Sequence, residues 1–316
     1  MTTALVIVER SSGGIRRASL EALGKARSLG LSTVALVAGS DPSAAARAAS
    51  AHADRVLAAA HPDLERYDAE AHVALAERVT RDVSPSLVLG PATSTGRDLV
   101  ARLSARLGAG YAAEITDITI DPDGRPTARR AVHGGKAVAV VAFEGPPPWL
   151  ATVRPGAFPT PSPGAAGKIE MLHPALPEIR TRVVSFEEAG GKRVHVTEAE
   201  IVISGGRGLG DPAAFTLIER LADRLGAAVG ASRAVVDAGW RDASEQVGKS
   251  GNTVAPRLYV AFGVSGAVHH VMGMAGAGTV VVVNRDPAAP FFKHADHGLV
   301  GDALVVLPAL LEELGA

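Results

Sequence analysis

The chain has 316 residues, of which 47% are apolar and 21% are charged, with a formal net charge of −1 and no cysteine. This composition is too apolar for a disordered protein, and the near-zero charge lacks the electrostatic footprint of a nucleic-acid-binding protein. The absence of cysteine excludes disulfide scaffolds, cysteine-bound metal clusters and thiol catalysis, so any redox chemistry must be carried by a bound group.

The length favours two domains rather than one. No apolar run approaches the roughly 20 residues needed to cross a bilayer, and Met1–Arg10 lacks the features of a secretory signal. We therefore expect a cytoplasmic protein with no membrane insertion.

The first third of the chain alternates short strands with amphipathic helices, which is typical of βαβ units and a parallel sheet. The predicted strands are Ala4–Val8, Thr33–Val37, Arg55–Leu57 and Leu87–Leu89. The predicted helices are Ser19–Leu29, Ser43–Ala51, Ala69–Val83 and Arg97–Leu107. After Thr116 the pattern becomes hairpin-like, which predicts antiparallel strands at a sheet edge: Ile118–Ile120, Arg129–Val132 and Ala137–Phe143.

Proline and glycine cluster between Gly145 and Gly167, which indicates a long connection. A further strand is predicted at Arg180–Glu187, followed by a linker at Glu188–Arg193. The predicted domains are therefore residues 1–188 and 189–316.

The second domain restarts the alternation. Its predicted strands are Ile201–Ser204, Ala227–Ala231, Arg257–Val264 and Thr279–Asn284. Its predicted helices are Pro212–Leu225, a short one starting at Val268–Met272, and Gly301–Leu314. A glycine-rich loop at Gly205–Asp211 joins the first strand to the first helix.

Every predicted strand of this domain runs into polar or glycine-rich residues. The strand ends are Gly205–Gly208, Ser232-Arg233, Ser265–His270 and Asn284. Ligands of open α/β sheets bind beyond the carboxyl ends of the strands, so four such endings predict a nucleotide-type ligand. Glycines let the backbone approach a diphosphate, and Arg207 supplies a positive charge. A tight turn remains the alternative for the glycine loop taken alone.

Sharper motifs are incomplete at these positions. The dinucleotide-binding fingerprint has glycine at its first, third and sixth positions. Counted from Gly206, its sixth position is Asp211, which weakens the interpretation as an NAD site. Ser265 is followed two residues later by Ala267, so no nucleophile elbow is present. Gly248-Lys249-Ser250 resembles the end of a phosphate-binding P-loop, but Ala243 stands where that motif requires its first glycine.

His294, Asp296 and His297 could suggest a metal site, but this spacing is common by chance. We interpret the segment as a surface loop and predict no metal. No acid–base pair is evident, so no catalytic residue is predicted.

A series of short motifs covers almost all of Ile201–Leu310. They are Ser204–Gly208, Leu221–Asp223, Gly226–Ala234, Asp237–Gly239, Gln246–Gly248, Val254–Pro256, Ser265–Ala267 with His270, Asn284 with Asp286-Pro287, Ala289–Phe291 and Ala295-Asp296. In this order they resemble the signature of electron transfer flavoprotein alpha subunits. The first domain resembles that family more loosely, at Gly90–Gly96 with Asp98, Arg102–Gly108, Gly134-Gly135 and Thr152–Phe158.

The resemblance implies an α/β fold with an N-terminal nucleotide-hydrolase-like domain and a C-terminal flavodoxin-like, parallel-sheet domain that binds FAD. The residues that it implies as FAD contacts are Arg207, Ser232, Arg233, Val247, Gly248, Lys249, Ser250, Ser265, Gly266, Ala267, Val268, His269, His270, Asn284, Asp302 and Ala303.

Reduced flavin is negatively charged, so positive charge and a helix N-terminus close to its ring favour it. We expect Gly266–His270 to offer both, with His270 facing the flavin carbonyls. Arg233 adds charge near the ring, and the Ser250 hydroxyl is placed to bond flavin N5. Three alternatives remain: Arg233 holds its own loop, His270 is a core histidine bonded to backbone, and Asp302 caps the last helix.

The resemblance also implies an electron carrier that works as a heterodimer. Its beta subunit would carry AMP, its donors would be flavin dehydrogenases such as the acyl-CoA dehydrogenases of fatty acid β-oxidation, and its acceptor would be a quinone oxidoreductase. An NADH-dependent bifurcating relative and, from another class, a nucleotide-binding regulatory module are the alternative functions.

Four residues depart from the usual family pattern. Lys249 replaces Gln, Asn252 replaces Lys, His269 replaces Gln and His297 replaces Tyr. Added positive charge near the flavin stabilises its reduced form, so we hypothesise a specialised paralogue with a raised first reduction potential.

Overall fold

A nine-stranded and a five-stranded sheet organise two separate units of the chain, residues 1–186 and 187–316. The computed structural model describes residues 2–11, 14–133, 137–181, 183–185 and 193–315. The domain boundary predicted near Glu188 lies outside the described residues.

The N-terminal unit is a mostly parallel sheet with an antiparallel edge. Its strands are β1 (Thr3–Val8), β2 (Arg10–Ser11), β3 (Gly14–Ile15), β4 (Ser32–Gly39), β5 (Arg55–Ala60), β6 (Leu87–Pro91), β7 (Tyr111–Ile120), β8 (Pro126–Val132), β9 (Ala137–Ala142), β10 (Trp149–Val153) and β11 (Lys168–Leu172). Its α-helices are α1 (Arg17–Ser28), α2 (Ser43–Ser50), α3 (Ala69–Val83) and α4 (Ser94–Leu107).

The strand order of the large sheet is β11-β5-β4-β1-β6-β10-β7-β8-β9. Neighbours are parallel from β11 to β7, and the pairs β7–β8 and β8–β9 are antiparallel. The predicted parallel sheet with an added antiparallel edge is thus confirmed. The strands β2 and β3 form a separate two-residue ladder.

Both faces of the central strands are buried, which is why these strands have continuous apolar sequences. On β1, Ala4 and Val6 belong to one buried cluster with residues of α1 and α2. Leu5 and Ile7 belong to the other, with residues of α3 and α4. The helices therefore cover the sheet in two layers.

Two predictions in this unit were wrong. The stretch interpreted as a long connection contains β10, whose five residues are all buried between β6 and β7. In the predicted strand Arg180–Glu187, residues 180, 181 and 183–185 form no strand, and the others lie outside the described residues. Val183 and Val184 are exposed, so their β-branched side chains gave a strand pattern without a sheet to join.

The C-terminal unit has five parallel strands. They are β12 (Ile201–Gly205), β13 (Ala228–Ala231), β14 (Leu258–Phe262), β15 (Thr279–Asn284) and β16 (His297–Val300). Its α-helices are α5 (Phe215–Leu225), α6 (Arg233–Asp237), α7 (Val268–Met274) and α8 (Ala303–Glu313). The order is β13-β12-β14-β15-β16, which is the flavodoxin-like arrangement.

The helices α5 and α8 share one buried cluster with Ile203 and Phe262, and α7 shares another with Val202 and Tyr259. Sequence analysis did not predict β16. All four residues of β16 are exposed, so this edge strand lacks the apolar alternation that marks a half-buried strand.

Candidate functional site

The switch point of the small sheet lies between β12 and β14, because the chain leaves β12 towards β13 on one side and β14 towards β15 on the other. The loops that follow these two strands are in direct backbone contact. The Gly206 amide donates to the Phe262 carbonyl at 2.9 Å, and the Gly208 amide donates to the Gly263 carbonyl at 3.0 Å. The glycine-rich loop after β12 and the residues at the end of β14 thus lie side by side.

Glycine is required for this contact. A Cβ on Gly206 would lie 2.2 Å from the Gly263 oxygen, and one on Gly208 would lie 2.7 Å from the same atom. The loop is therefore more than a tight turn, since it brings two backbone segments together at the carboxyl edge of the sheet.

Two arginines lie at this edge, and they differ in whether they form an ion pair. Arg207 is exposed and forms no ion pair with any described residue. Arg233, the first residue of α6, is paired within its own helix to Asp237 at 3.2 Å. Both side chains are exposed, so this pair within α6 is weak. Ser232 precedes α6, and its amide donates to the Gly205 carbonyl at 3.0 Å.

The segment Val247–Ser250 packs against α7. The Lys249 amide donates to the His269 carbonyl at 2.8 Å, and a Cβ on Gly273 would lie 2.4 Å from the Gly248 Cα. Lys249 and His269, two of the four unusual residues, are therefore neighbours, and both are exposed. The Ser250 hydroxyl accepts from the Gln246 side chain at 3.2 Å.

The segment Ser265–His270 turns sharply into α7. Ser265, Ala267, Val268 and His269 are exposed, whereas Gly266 and His270 are buried. Gly266 has a φ of +79°, and its missing side chain would lie 2.4 Å from Phe291. The turn therefore packs directly against Phe291, and a side chain at position 266 would clash with it.

His270 differs from the expectation for a charged group beside a flavin. It is 6% exposed, and its Nε2 lies 2.9 Å from the Tyr259 hydroxyl. Burial lowers the pKa of His270 to about 4, against a smaller opposing effect of the Val247 backbone. The imidazole is neutral at pH 7, so the positive charge expected from His270 is not supplied there. The ring nitrogen Nε2 has the Tyr259 hydroxyl as its hydrogen-bond partner.

The side chains of Asn284 and Asp302 form hydrogen bonds with backbone groups around the site. The Asn284 side chain donates to the Val264 carbonyl at 3.0 Å and accepts from the Asp286 amide at 3.0 Å, which joins the ends of β14 and β15. The Asp302 carboxylate accepts from the Leu304 amide at 2.8 Å, so it caps α8, which was the alternative to a contact with FAD. Ala303 is buried behind it.

The sixteen predicted contact residues thus lie on the loops at the carboxyl edge of the small sheet, at the end of β15, or in the first turns of α6, α7 and α8 that follow these loops. Sequence analysis missed Tyr259 and Phe291, which lie under that edge and touch His270. Phe291 was named only within the Ala289–Phe291 motif and Tyr259 only within a predicted strand, because an aromatic residue on a buried strand or in a loop has the pattern of ordinary core.

His294, Asp296 and His297 lie at or next to the start of β16. The Asp296 carboxylate accepts from the Val280 amide at 2.8 Å. Across the part of the chain that the structure describes, no three histidine, aspartate or glutamate side chains are grouped to hold a metal ion. Within the same residues, no helix has both the length and the apolar character needed to span a bilayer.

The chemistry of this edge suits a dinucleotide. Arg207 and Lys249 are exposed and make no ion pair with described residues, so they can pair with phosphate or with an electron-rich ring. The loop Gly206–Gly208, which contains Arg207, and the loop Gly263–Gly266 let a ligand approach the backbone closely.

Comparisons with known proteins give the same assignment for both units. Residues 4–177 match the electron transfer flavoprotein domain, and residues 195–275 match the electron transfer flavoprotein FAD-binding domain. The chain is 37% identical to the electron transfer flavoprotein subunit alpha of Thermoanaerobacterium thermosaccharolyticum, over 98% of this chain and 96% of that protein. It is also 37% identical to the protein FixB of Clostridium saccharobutylicum, over 98% and 95%. It is 36% identical to the subunit alpha of Mycobacterium leprae, over 100% and 99%. The chain therefore belongs to the electron transfer flavoprotein alpha-subunit family.

Proposed function

We propose that this chain binds FAD at the carboxyl edge of its C-terminal sheet and acts as the electron-carrying subunit of a heterodimer. The observation that carries the proposal is that the five connections after β12, β13, β14, β15 and β16 converge on one edge. This edge presents Arg207 and Lys249, which form no ion pair with residues that the structure describes. FAD, when bound, supplies the redox chemistry, and no acid–base chemistry is asked of the protein.

Each part of the edge would have its own role. Arg207 and the glycine loop would hold the diphosphate, Asp302 the adenosine end, and Lys249 with Ser250 the flavin ring. The neutral, buried His270 would shape the site rather than bring charge to it. The electrostatic preference for reduced flavin would then come from exposed cations.

We propose the physiological setting from the family resemblance. The beta subunit, with a structural AMP, would dock on the N-terminal unit, residues 1–188, while residues 189–316 hold FAD. Electrons would come from flavin dehydrogenases such as acyl-CoA dehydrogenases in the cytoplasm and leave to a quinone oxidoreductase.

The N-terminal unit gives a reason to disfavour the regulatory-module alternative. Its own switch point lies between β1 and β6, where a nucleotide phosphate would be expected near the start of α4. The Glu9 carboxylate occupies that position, bonded by the Thr93 hydroxyl, which itself accepts from the Gly96 amide at 3.0 Å. The Glu9 carboxylate, which also pairs with Arg16 at 3.6 Å, thus takes the hydroxyl donor that a phosphate would need at this point.

The test is co-expression with a beta subunit, followed by absorbance of the purified complex. A yellow heterodimer that releases FAD on denaturation supports the proposal. Bleaching by an acyl-CoA dehydrogenase with its substrate would support the donor class, whereas bleaching by NADH alone would favour the bifurcating relative. A colourless complex that neither binds added FAD nor changes its melting temperature with it would refute the carrier function.

A further inference from the structure

The chain folds back on itself over residues 246–252, which we call the 246–252 loop. The Asn252 amide donates to the Gln246 carbonyl at 2.7 Å, and the Gly248 amide donates to the Asn252 carbonyl at 3.1 Å. The two ends of the loop therefore lie side by side, and residues 249–251 form its tip. This tip contains both side chains that are proposed to contact the flavin ring from this loop.

The Asn252 side chain closes the base of the loop a second time. Its Nδ2 donates to the Ser244 carbonyl at 2.7 Å and to the Gln246 carbonyl at 3.1 Å. Both partners can only accept, so the nitrogen rather than the oxygen of the side-chain amide faces them. Both hydrogens of this partly buried amide are therefore used. One side chain thus joins the end of the loop to the turn that leads into it.

The tip packs closely on this base. A Cβ on Gly251 would lie 2.5 Å from the Gln246 carbonyl oxygen, which is the atom that accepts twice from Asn252. The Gln246 side chain donates to the Ser250 hydroxyl at 3.2 Å, and the backbone of the tip is bonded to the start of α7. The side chains of Lys249 and Ser250 remain exposed. A base held by Asn252 therefore presents two exposed polar side chains at a defined place.

From these contacts we infer that Asn252 is a positioning residue, which holds Lys249 and Ser250 in place for the flavin ring. The interaction of the Lys249 charge with reduced flavin depends on the distance between them, so a loosened base would spread that charge over many positions. Lys249 and Asn252 are two of the four departures from the family pattern, and they belong to the same loop. The inference rests on the proposed function, because the tip is the part assigned to the flavin ring.

The first measurement uses the full chain in its complex with the beta subunit, with ¹⁵N-labelled asparagine. The chain has two asparagines, Asn252 and Asn284, and the Asn252 signals are those that are lost in Asn252→Ala. Both side-chain hydrogens of Asn252 are expected to exchange with solvent at least about tenfold more slowly than those of an exposed amide. Exchange at the rate of an exposed amide would overturn the inference.

The second measurement is backbone amide exchange in residues 246–252 relative to β15. Asn252→Ala removes both side-chain hydrogen bonds and should accelerate this exchange about tenfold. Asn252→Asp is nearly isosteric but places a carboxylate against two carbonyl oxygens, so it should accelerate the exchange at least as much. Ser244→Ala is the matched control, because it removes a side chain beside the loop but retains the carbonyl to which Asn252 donates. Its loop exchange should stay within about twofold of the wild type.

The third measurement separates positioning from stability alone, because it reads the first reduction potential of the FAD-bound complex. If Asn252 holds the tip, the potential shift that Lys249→Gln causes should shrink to about half or less in the Asn252→Ala background. The same shift should keep its full size in the Ser244→Ala background. A Lys249→Gln shift that is absent in the wild type, or of full size in Asn252→Ala, would overturn the inference.

Wild-type loop exchange in both Asn252 variants would also overturn it. The two exchange measurements need no bound FAD. A wild-type complex that fails to bind FAD would therefore refute the proposed function, while the exchange rates would still decide whether Asn252 holds the loop.

Discussion

Asp302 caps helix α8, and the same carboxylate is one of the groups proposed to contact FAD. Replacement by Ala removes the cap and should lower the free energy of unfolding by about 1 kcal/mol, measured by denaturant titration. Asp302→Asn keeps a capping side chain and should cost only a few tenths of that value. If Asn restores stability but FAD affinity stays as low as in Ala, the charge binds the cofactor; if Asn restores both, Asp302 serves only as a cap.

Lys249 is the residue whose change should alter the flavin potential most directly. Lys249→Gln removes an exposed charge beside the proposed ring site, which is worth about 0.5–1 kcal/mol for the reduced, negatively charged form. Since 1.4 kcal/mol corresponds to about 59 mV for one electron, the first reduction potential should fall by about 20–40 mV. Spectroscopic redox titration measures it. Arg257 is an exposed cation before β14, at the other edge of the sheet, so Arg257→Gln should leave the first reduction potential unchanged. An unchanged potential in Lys249→Gln would contradict the hypothesis.

His270 makes stability depend on pH. Its folded pKa of about 4 is below the value of 6.5 for an exposed histidine, so the unfolded chain binds more protons between these values. Its contribution is complete above pH 6.5 and declines as the pH falls toward 4. The free energy of unfolding of the C-terminal unit should be about 2 kcal/mol lower at pH 5 than at pH 7 from this group. In His270→Gln that difference should disappear, and an equal slope in both proteins would show that His270 titrates normally.

At the scale of elements, the turn between β14 and α7 depends on Gly266. Gly266 and Gly210 have almost the same backbone angle, φ of +79° and +80°, but only Gly266 has a neighbour where a Cβ would lie. Gly210→Ala should cost about 1 kcal/mol through backbone strain alone. Gly266→Ala must also displace Phe291 and should cost about 3 kcal/mol or more. Denaturant midpoints of the two variants measure the difference, and equal costs would mean that Phe291 moves aside freely.

The same elements show what the sequence could and could not predict. Helix α3 was predicted with its observed bounds, because Asp68 caps its start, at 2.9 Å from the amides of Glu70 and Ala71. Strand β10 was missed because prolines and glycines surround it, although the strand itself is entirely buried. Periodicity reports local burial, and it cannot show that a short run returns to the centre of a sheet.

The part of the candidate site that could be predicted is the set of residues that directly follow the strands. Parallel strands end at one edge, so residues after each strand could be brought together without a structure. The pairing of His270 with Tyr259 could not be predicted, because it depends on how α7 packs under β14. A buried histidine and an exposed one have the same sequence signal, and only the fold separates them.

At the scale of the whole molecule, the two sheets have separate hydrophobic clusters, so a ligand of one sheet should stabilise that unit first. FAD at about a hundred times its dissociation constant should add about 2.7 kcal/mol to the unit that binds it. Hydrogen exchange of the intact heterodimer, with and without FAD, should therefore show slower exchange in β12–β16 and little change in β1–β11. Equal protection of both sheets would mean that FAD stabilises the chain as one cooperative body. Protection confined to β1–β11 would place the cofactor on the N-terminal unit and would contradict the proposed site.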